Sequence, residues 1–170
     1  IYITADVAMA AWNYYCVTQD KNWLKEKVKT SSETEGINIL NMLSKNSDKT
    51  SAELIIDALQ HPSENVKIAA LKLMQQKEYP DAAEVLLPFL QQNSSPAIVA
   101  ESIKILSKSG VDNVIILPYL NSSEIEIRQA ALEGLFYYGS TESKTHIHDL
   151  IHEMAASQDV ENRQTVANIL

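Results

Sequence analysis

His146, His148 and His152 form the dense histidine cluster of this 170-residue chain. His148 and His152 are four apart, so a helix would set their imidazoles on one face, one turn apart. That spacing can chelate a divalent transition metal. The run His148-Asp149-Leu150-Ile151-His152 imitates the zinc-protease pattern His-Glu-x-x-His. Asp149 stands where that chemistry needs a glutamate as general base, and its side chain reaches less far. Glu153 is the nearest additional oxygen ligand in sequence. Histidine pairs at this spacing also arise on plain solvated helix faces. The expectation is therefore no metal and no cofactor, with His148 and His152 the positions to examine.

Other chemistry-bearing residues read as structural. Cys16, the single cysteine, lies among aromatics on an apolar helix with no histidine nearby in sequence. That reads as an inert buried thiol rather than a nucleophile. One cysteine also excludes an internal disulfide and a multi-thiolate metal site. Glu124, Glu126 and Glu133, or Asp81 and Glu84, are spaced like paired carboxylates. Acid–base work needs burial in a cleft, and at helix starts these groups more simply complement the helix dipole. No glycine-rich phosphate loop or nucleophile elbow occurs. Asn93-Ser94-Ser95 and Asn121-Ser122-Ser123 fit the N-glycosylation pattern, which matters only in a secreted eukaryotic protein. No catalytic residue is assigned, and the chain is expected not to be an enzyme.

The elements that would position these groups are helical. Hydrophobic residues make up 45% of the chain, with four glycines and five prolines. That is globular composition, with too few turn residues for a many-stranded sandwich or barrel. The formal net charge is −8. Residues 1–50 hold six acids and six bases, so all of that excess falls within 51–170. An acidic surface is a poor match for nucleic acid or an anionic membrane. The chain starts at Ile1 and shows no secretory leader or membrane-spanning apolar run. The expectation is a soluble, cytoplasmic fragment of a larger product.

Self-comparison reveals a repeat of about thirty residues. Val85-Leu86-Leu87-Pro88-Phe89-Leu90 recurs as Ile115-Ile116-Leu117-Pro118-Tyr119-Leu120, and Leu54–Leu59 matches without the proline. The second half repeats as well: Val66-Lys67-Ile68-Ala69-Ala70-Leu71, Ile127-Arg128-Gln129-Ala130-Ala131-Leu132, a weaker copy at Ile98–Ile103, and Arg163–Leu170. Val66, Ala69, Ala70, Leu73 and Met74 make one apolar helical stripe, which Ile127, Ala130, Ala131, Gly134 and Leu135 repeat. Small residues at its centre let a neighbouring helix approach closely. Ser63 and Ser123 are expected N-caps, and Gly110 and Gly139 expected helix stops. The predicted units are 51–79, 80–110, 111–140 and 141–170, each a helical hairpin that stacks on the next in an α-solenoid, an all-α superhelix.

This pattern resembles HEAT repeats, in particular the short bacterial kind called HEAT-like or phycobilisome-lyase-like, over residues 48–170. Pro88 and Pro118 match the first-helix proline of those units. Val66-Lys67, Ile127-Arg128 and Arg163 match the apolar-plus-basic start of their second helix, and Ala69-Ala70 and Ala130-Ala131 match the alanine pair. The family's turn aspartate is replaced by Ser63, Ser95 or Ser123. Ala100-Glu101 stands where a base and an alanine belong. The first 27 residues resemble something else. Ile3–Ala8, Ala11-Trp12-Asn13-Tyr14-Tyr15, Thr18-Gln19-Asp20 and Trp23-Leu24 look like one helical hairpin of family 65 glycoside phosphorylases and hydrolases. The segment that carries that family's catalytic acid is absent here. From the residues themselves, Val7, Ala11, Tyr14 and Tyr15 make an apolar helix face and Lys21–Lys29 a basic helix, an extra N-terminal hairpin with its connection in residues 1–50.

The function expected from this is a non-catalytic scaffold or regulatory module that binds a protein or peptide. The stacked second helices of a solenoid make an extended concave wall, and an acidic wall suits a basic partner. Lys67, Lys72, Glu126 and Glu133 lie off the buried stripe and are candidates for that wall. The alternatives are a fragment of a carbohydrate-active enzyme, which the N-terminal resemblance implies, and a soluble domain of a larger, membrane-bound protein.

Overall fold

The computed structural model describes residues 9–10, 13–14, 17–18, 20–45, 49–77, 79, 81–92 and 95–169. All described secondary structure is helical, so the fold is all-α. The chain divides into two compact units, Ile1–Lys77 and Glu78–Leu170.

From Lys21 onward the first unit runs through α1 (Lys21–Thr30), α2 (Glu33–Leu43), α3 (Lys49–Ala58) and α4 (Glu64–Lys77). Helix α1 packs on α3 and α2 packs on α4, while neighbours in sequence also touch. Two hairpins thus lie side by side, first helix on first and second on second, as in an α-solenoid. Leu24 and Val28 of α1 are buried with Leu54, Ile55 and Ala58 of α3. Helix α1 is the basic helix of the sequence reading. Lys25 pairs with Glu53 (3.5 Å) and Asp57 (3.7 Å), and Lys29 pairs with Asp57 (3.1 Å). Partly exposed pairs of this kind contribute up to about 1 kcal/mol each, so the apolar contacts dominate this packing.

Helix α2 starts at a capping box. The Ser32 hydroxyl accepts from the Glu35 N–H, and the Glu35 carboxylate accepts from the Ser32 N–H at 3.0 Å. Gly36 lets α4 come close, since a Cβ there would sit 3.0 Å from Val66 Cγ2. At the other end Lys77 Nζ donates to the Leu43 carbonyl at 3.0 Å, occupying an acceptor that the end of α2 leaves open.

The second unit contains α5 (Ala82–Gln92), α6 (Pro96–Lys108), the one-turn α7 (Asn113–Ile116) running into a 3₁₀ segment (Leu117–Asn121), α8 (Ile125–Tyr138), α9 (Thr141–Ala156) and α10 (Val160–Ala167). Helices α6 and α8 make the most extensive contact, and α9 and α10 pack on α8 and on each other. The stripe Ile127, Ala130, Ala131, Gly134 and Leu135 is wholly buried, as its periodicity predicts. In α4 the corresponding stripe is buried except for the half-buried Ala69, with Leu71 buried beside it.

Pro88 and Pro118 hold equivalent sequence places but act differently. Pro88 lies inside a continuous α5. Pro118 lies in the 3₁₀ segment, so the first helix of its unit is short and tightened. Gly110 has φ +78° and follows α6 directly, the left-handed stop expected there. A Cβ on Gly110 would touch nothing within 4 Å, so a substitution there meets only the backbone cost. Gly110→Ala is expected to lower the thermal stability of the chain by about 1 kcal/mol, with Gly110→Asn milder, as read from melting curves. Gly139 ends α8 in an extended conformation, with its N–H donating to the Leu135 carbonyl.

Candidate functional site

His148 and His152 both lie exposed on α9, with ring centroids 4.5 Å apart and planes tilted by 67°. Asp149 and Glu153 are exposed beside them. Among the described residues no three His, Cys, Asp or Glu side chains gather as a ligand set. The His146 side chain and Cys16 lie outside the described residues, as do Val7, Ala11, Trp12, Tyr15 and Asn93. Tyr14 is half exposed and contacts Trp23, with ring centroids 4.5 Å apart.

The candidate carboxylates spread out rather than converge. Glu124 is the N-cap residue of α8 and Glu126 lies in its first turn, so both face the helix dipole. Glu84 does the same in α5, with Asp81 just before it. Glu133 is different: it sits mid-helix, exposed, and the dipole reading does not apply to it. Lys72 is exposed and Lys67 half-buried in the first unit, while Glu126 and Glu133 are exposed in the second.

The turns carry the most organised polar chemistry. Ser123 is not the N-cap of α8; Glu124 is, and its side chain makes no capping bond. Ser122 acts instead, its hydroxyl accepting from the Glu124 N–H at 3.2 Å. Arg128 Nη1 donates back to the Ser122 and Ser123 carbonyls at 2.8 and 2.9 Å, and Nη2 to Glu161 Oε2 of α10 at 3.2 Å. The next unit repeats the device. The Ser157 hydroxyl accepts from the Asp159 N–H, and Arg163 Nη1 donates to the Ser157 carbonyl at 2.8 Å. The basic residue of the repeat therefore holds turn carbonyls in both units, in the last of them beside Asp159, whose carboxylate accepts from the Glu161 N–H at 2.9 Å.

In the first unit a histidine takes that serine's place, which the sequence reading missed. His61 Nδ1 accepts from the Ser63 N–H at 2.9 Å, which leaves the proton on Nε2 to be donated to the Ser31 carbonyl at 2.8 Å. His61 is 1% exposed. Its register was the available signal, since His61 precedes Lys67 by the same six residues that separate Ser122 from Arg128 and Ser157 from Arg163. Ser63 turns its hydroxyl to Glu33, donating to Oε2 at 2.6 Å, while Asn65 Nδ2 donates to Oε1 at 3.0 Å. Those two donors hold the Glu33 carboxyl below its ordinary value of 4.5. A lowered carboxylate supports the fold above the unfolded value and loses that support as the pH falls through the folded one. Glu33→Gln is therefore expected to lower melting slightly at neutral pH and to close that gap to the parent chain as the pH falls below 4.5. Thermal melts across acid pH measure this.

Cavities open among the described residues of the second unit. One, of about 680 Å³, lies between the α6–α7 and α8–α9 turns and is lined by Asp112, Asn113, Tyr138 and Ser143 among others. The Asn113 side chain donates to Ser143 Oγ at 2.9 Å there. Another, of about 560 Å³, has Leu117, Leu120, Leu132, Leu150 and Met154 as apolar wall. Arg128, Glu153 and Asn162 also line it. Glycosylation-pattern residue Asn121 is exposed at its edge.

Charge follows the structural division. Ile1–Lys77 holds nine acids and nine bases, and Glu78–Leu170 thirteen acids and five bases, so the net −8 belongs to the second unit alone. No described helix is long and apolar enough to cross a membrane.

A 26-residue segment, 15% of this chain, is 81% identical to a kojibiose hydrolase of Mucilaginibacter mallensis and covers 4% of that protein. A kojibiose hydrolase of Flavobacterium johnsoniae is 69% identical over 26 residues, again 4% of its length. The chain thus spans a small fraction of the curated relatives it matches. No solved structure matches significantly. The family model for HEAT repeats matches residues 52–117. Over those residues the chain is similar to HEAT-repeat proteins, in keeping with its stacked helical hairpins.

Proposed function

We propose that the chain is a non-catalytic, protein-binding repeat module. Its repeats run about 51–79, 80–110, 111–140 and 141–170, and its partner is a basic protein or peptide rather than nucleic acid or membrane. The HEAT similarity over residues 52–117 supports the interaction role. The observation that carries the choice of partner is the concentration of the whole −8 charge in Glu78–Leu170, with Glu126 and Glu133 exposed along α8. Opposite charge steers encounter and suppresses like-charged partners, and its effect fades as salt screens it. Capture with the purified chain, followed by calorimetry at low and high salt, tests this. The expected result is a protein partner whose affinity falls by about tenfold as salt rises. Binding indifferent to salt, or capture of nucleic acid alone, overturns it.

A second reading has one observation behind it, the short segment similar to kojibiose hydrolases. It makes the chain a piece of a carbohydrate-active enzyme. An assay of kojibiose hydrolysis by the parent protein decides it, since turnover would replace the scaffold reading and its absence would end the alternative. Under the scaffold reading the module works in the cytoplasm, and gene context shows which further domains accompany it.

A further inference from the structure

The 560 Å³ cavity of the second unit has a structural origin. The 3₁₀ segment packs on α7 and α8, and α9 packs on α8 and α10. Leu117 and Leu120 of the first and Leu150 and Met154 of the second face the space between them, with Leu132 of α8 also lining it. The volume falls in the range of about 300–1,000 Å³ typical of ligand pockets. Leu120, Leu150 and Met154 are each part-exposed rather than buried, so an apolar surface remains open to a visitor.

The polar groups at this cavity are unevenly satisfied. Arg128 Nη1 and Nη2 are engaged by two turn carbonyls and by Glu161. Arg128 Nε is buried and, among the described residues, has no acceptor. Enclosed in this way, Nε is out of reach of a molecule entering the cavity, so Arg128 offers it no free donor. The charge balance says which kind of visitor fits. Glu161 already neutralises Arg128, and exposed Glu153 adds a further negative charge at the rim. A free carboxylate or phosphate would meet two acids, whereas an apolar group beside a cation would not.

We propose that this cavity is the anchor site for a peptide of the partner: an apolar side chain fills the Leu117–Leu150–Met154 space, and an adjacent lysine or arginine pairs with Glu153. The proposal rests on the reading of the chain as a binder of basic proteins and gives that reading an address. Affinity in such a site comes from the buried apolar anchor, and the rim charge supplies register.

The test is selection from a displayed random peptide library against the full chain, with affinities of synthetic copies measured by calorimetry. Selected peptides are expected to share a leucine, methionine or phenylalanine beside a basic residue. Met154→Trp, which fills the cavity, is expected to weaken them by about tenfold or more, with its melting curve confirming a folded chain. Glu153→Lys changes an exposed residue only and is expected to weaken basic peptides and favour acidic ones. Peptides that bind both variants as well as the parent chain overturn the anchor site but leave the scaffold reading standing. Selection of acidic peptides by the parent chain overturns both. Failure to select any peptide overturns the anchor, and protein capture then judges the scaffold reading by itself.

Discussion

Gly134→Ala is expected to lower the stability of the unit Glu78–Leu170 by about 3 kcal/mol. A Cβ at Gly134 would fall on the Cβ and Oγ of Ser107, because α6 and α8 approach each other at that point with no side chain between them. Ser107 is buried and its hydroxyl has no partner among the described residues, so it gives no compensating bond by moving. The intrinsic helix preference of alanine opposes the loss by about 1 kcal/mol, which the overlap exceeds. The reciprocal change separates sterics from propensity. Ser107→Gly alone is expected to cost about 1 kcal/mol as a helix-interior glycine. Combined with Gly134→Ala it removes the atoms that the new methyl meets, so the double variant should be more stable than Gly134→Ala alone. Chemical denaturation of the four chains measures the coupling. Additive losses would show that the contact at Gly134 is not what holds α6 and α8 together.

His61→Ala is expected to cost the first unit about 3 kcal/mol. The imidazole is fully enclosed and joins two turns, accepting from the Ser63 N–H and donating to the Ser31 carbonyl. Truncation strands both groups and leaves a void where the ring was. His61→Phe keeps most of the volume and none of the hydrogen bonds, so its loss relative to the parent isolates the polar part, about 2 kcal/mol. His61→Asn keeps an acceptor near Ser63 and should fall between. Hydrogen exchange of the Ser63 amide is the specific readout: it should quicken in His61→Phe and less so in His61→Asn. Equal exchange in all three variants would remove His61 from this role.

The apolar periodicities and the helix stops were legible in the sequence because each rests on local rules. The burial of Ile127, Ala130, Ala131, Gly134 and Leu135 follows from a 3.6-residue spacing, and the left-handed stop at Gly110 follows from the one residue type that adopts it freely. The capping of α8 was not legible. Two adjacent serines offered two local bonds, and Ser122 took a turn bond to Glu124 while Ser123 took none of the expected kind. The fates of Pro88 and Pro118 were also hidden. Each removes one backbone donor, and neighbours distant in sequence decide whether the next turn stays α or tightens to 3₁₀. The stacking of α1 and α2 against α3 and α4 escaped notice because α2 has Gly36, Asn38 and Ile39 where α4 has Lys67, Ala69 and Ala70. The cavity could not be read at all, since it arises from a helix ending early beside a helix that does not.

The arginine-to-turn bonds have a kinetic consequence. Arg128 reaches back six residues to Ser122 and Arg163 six to Ser157, so each bond closes a very short loop and loses little chain entropy in forming. The contacts between hairpins then span only about thirty residues, as Asn113 to Ser143 and Arg128 to Glu161 do. A chain whose pairings are that local has low contact order, and such chains fold quickly, each turn setting the angle at which the next hairpin docks.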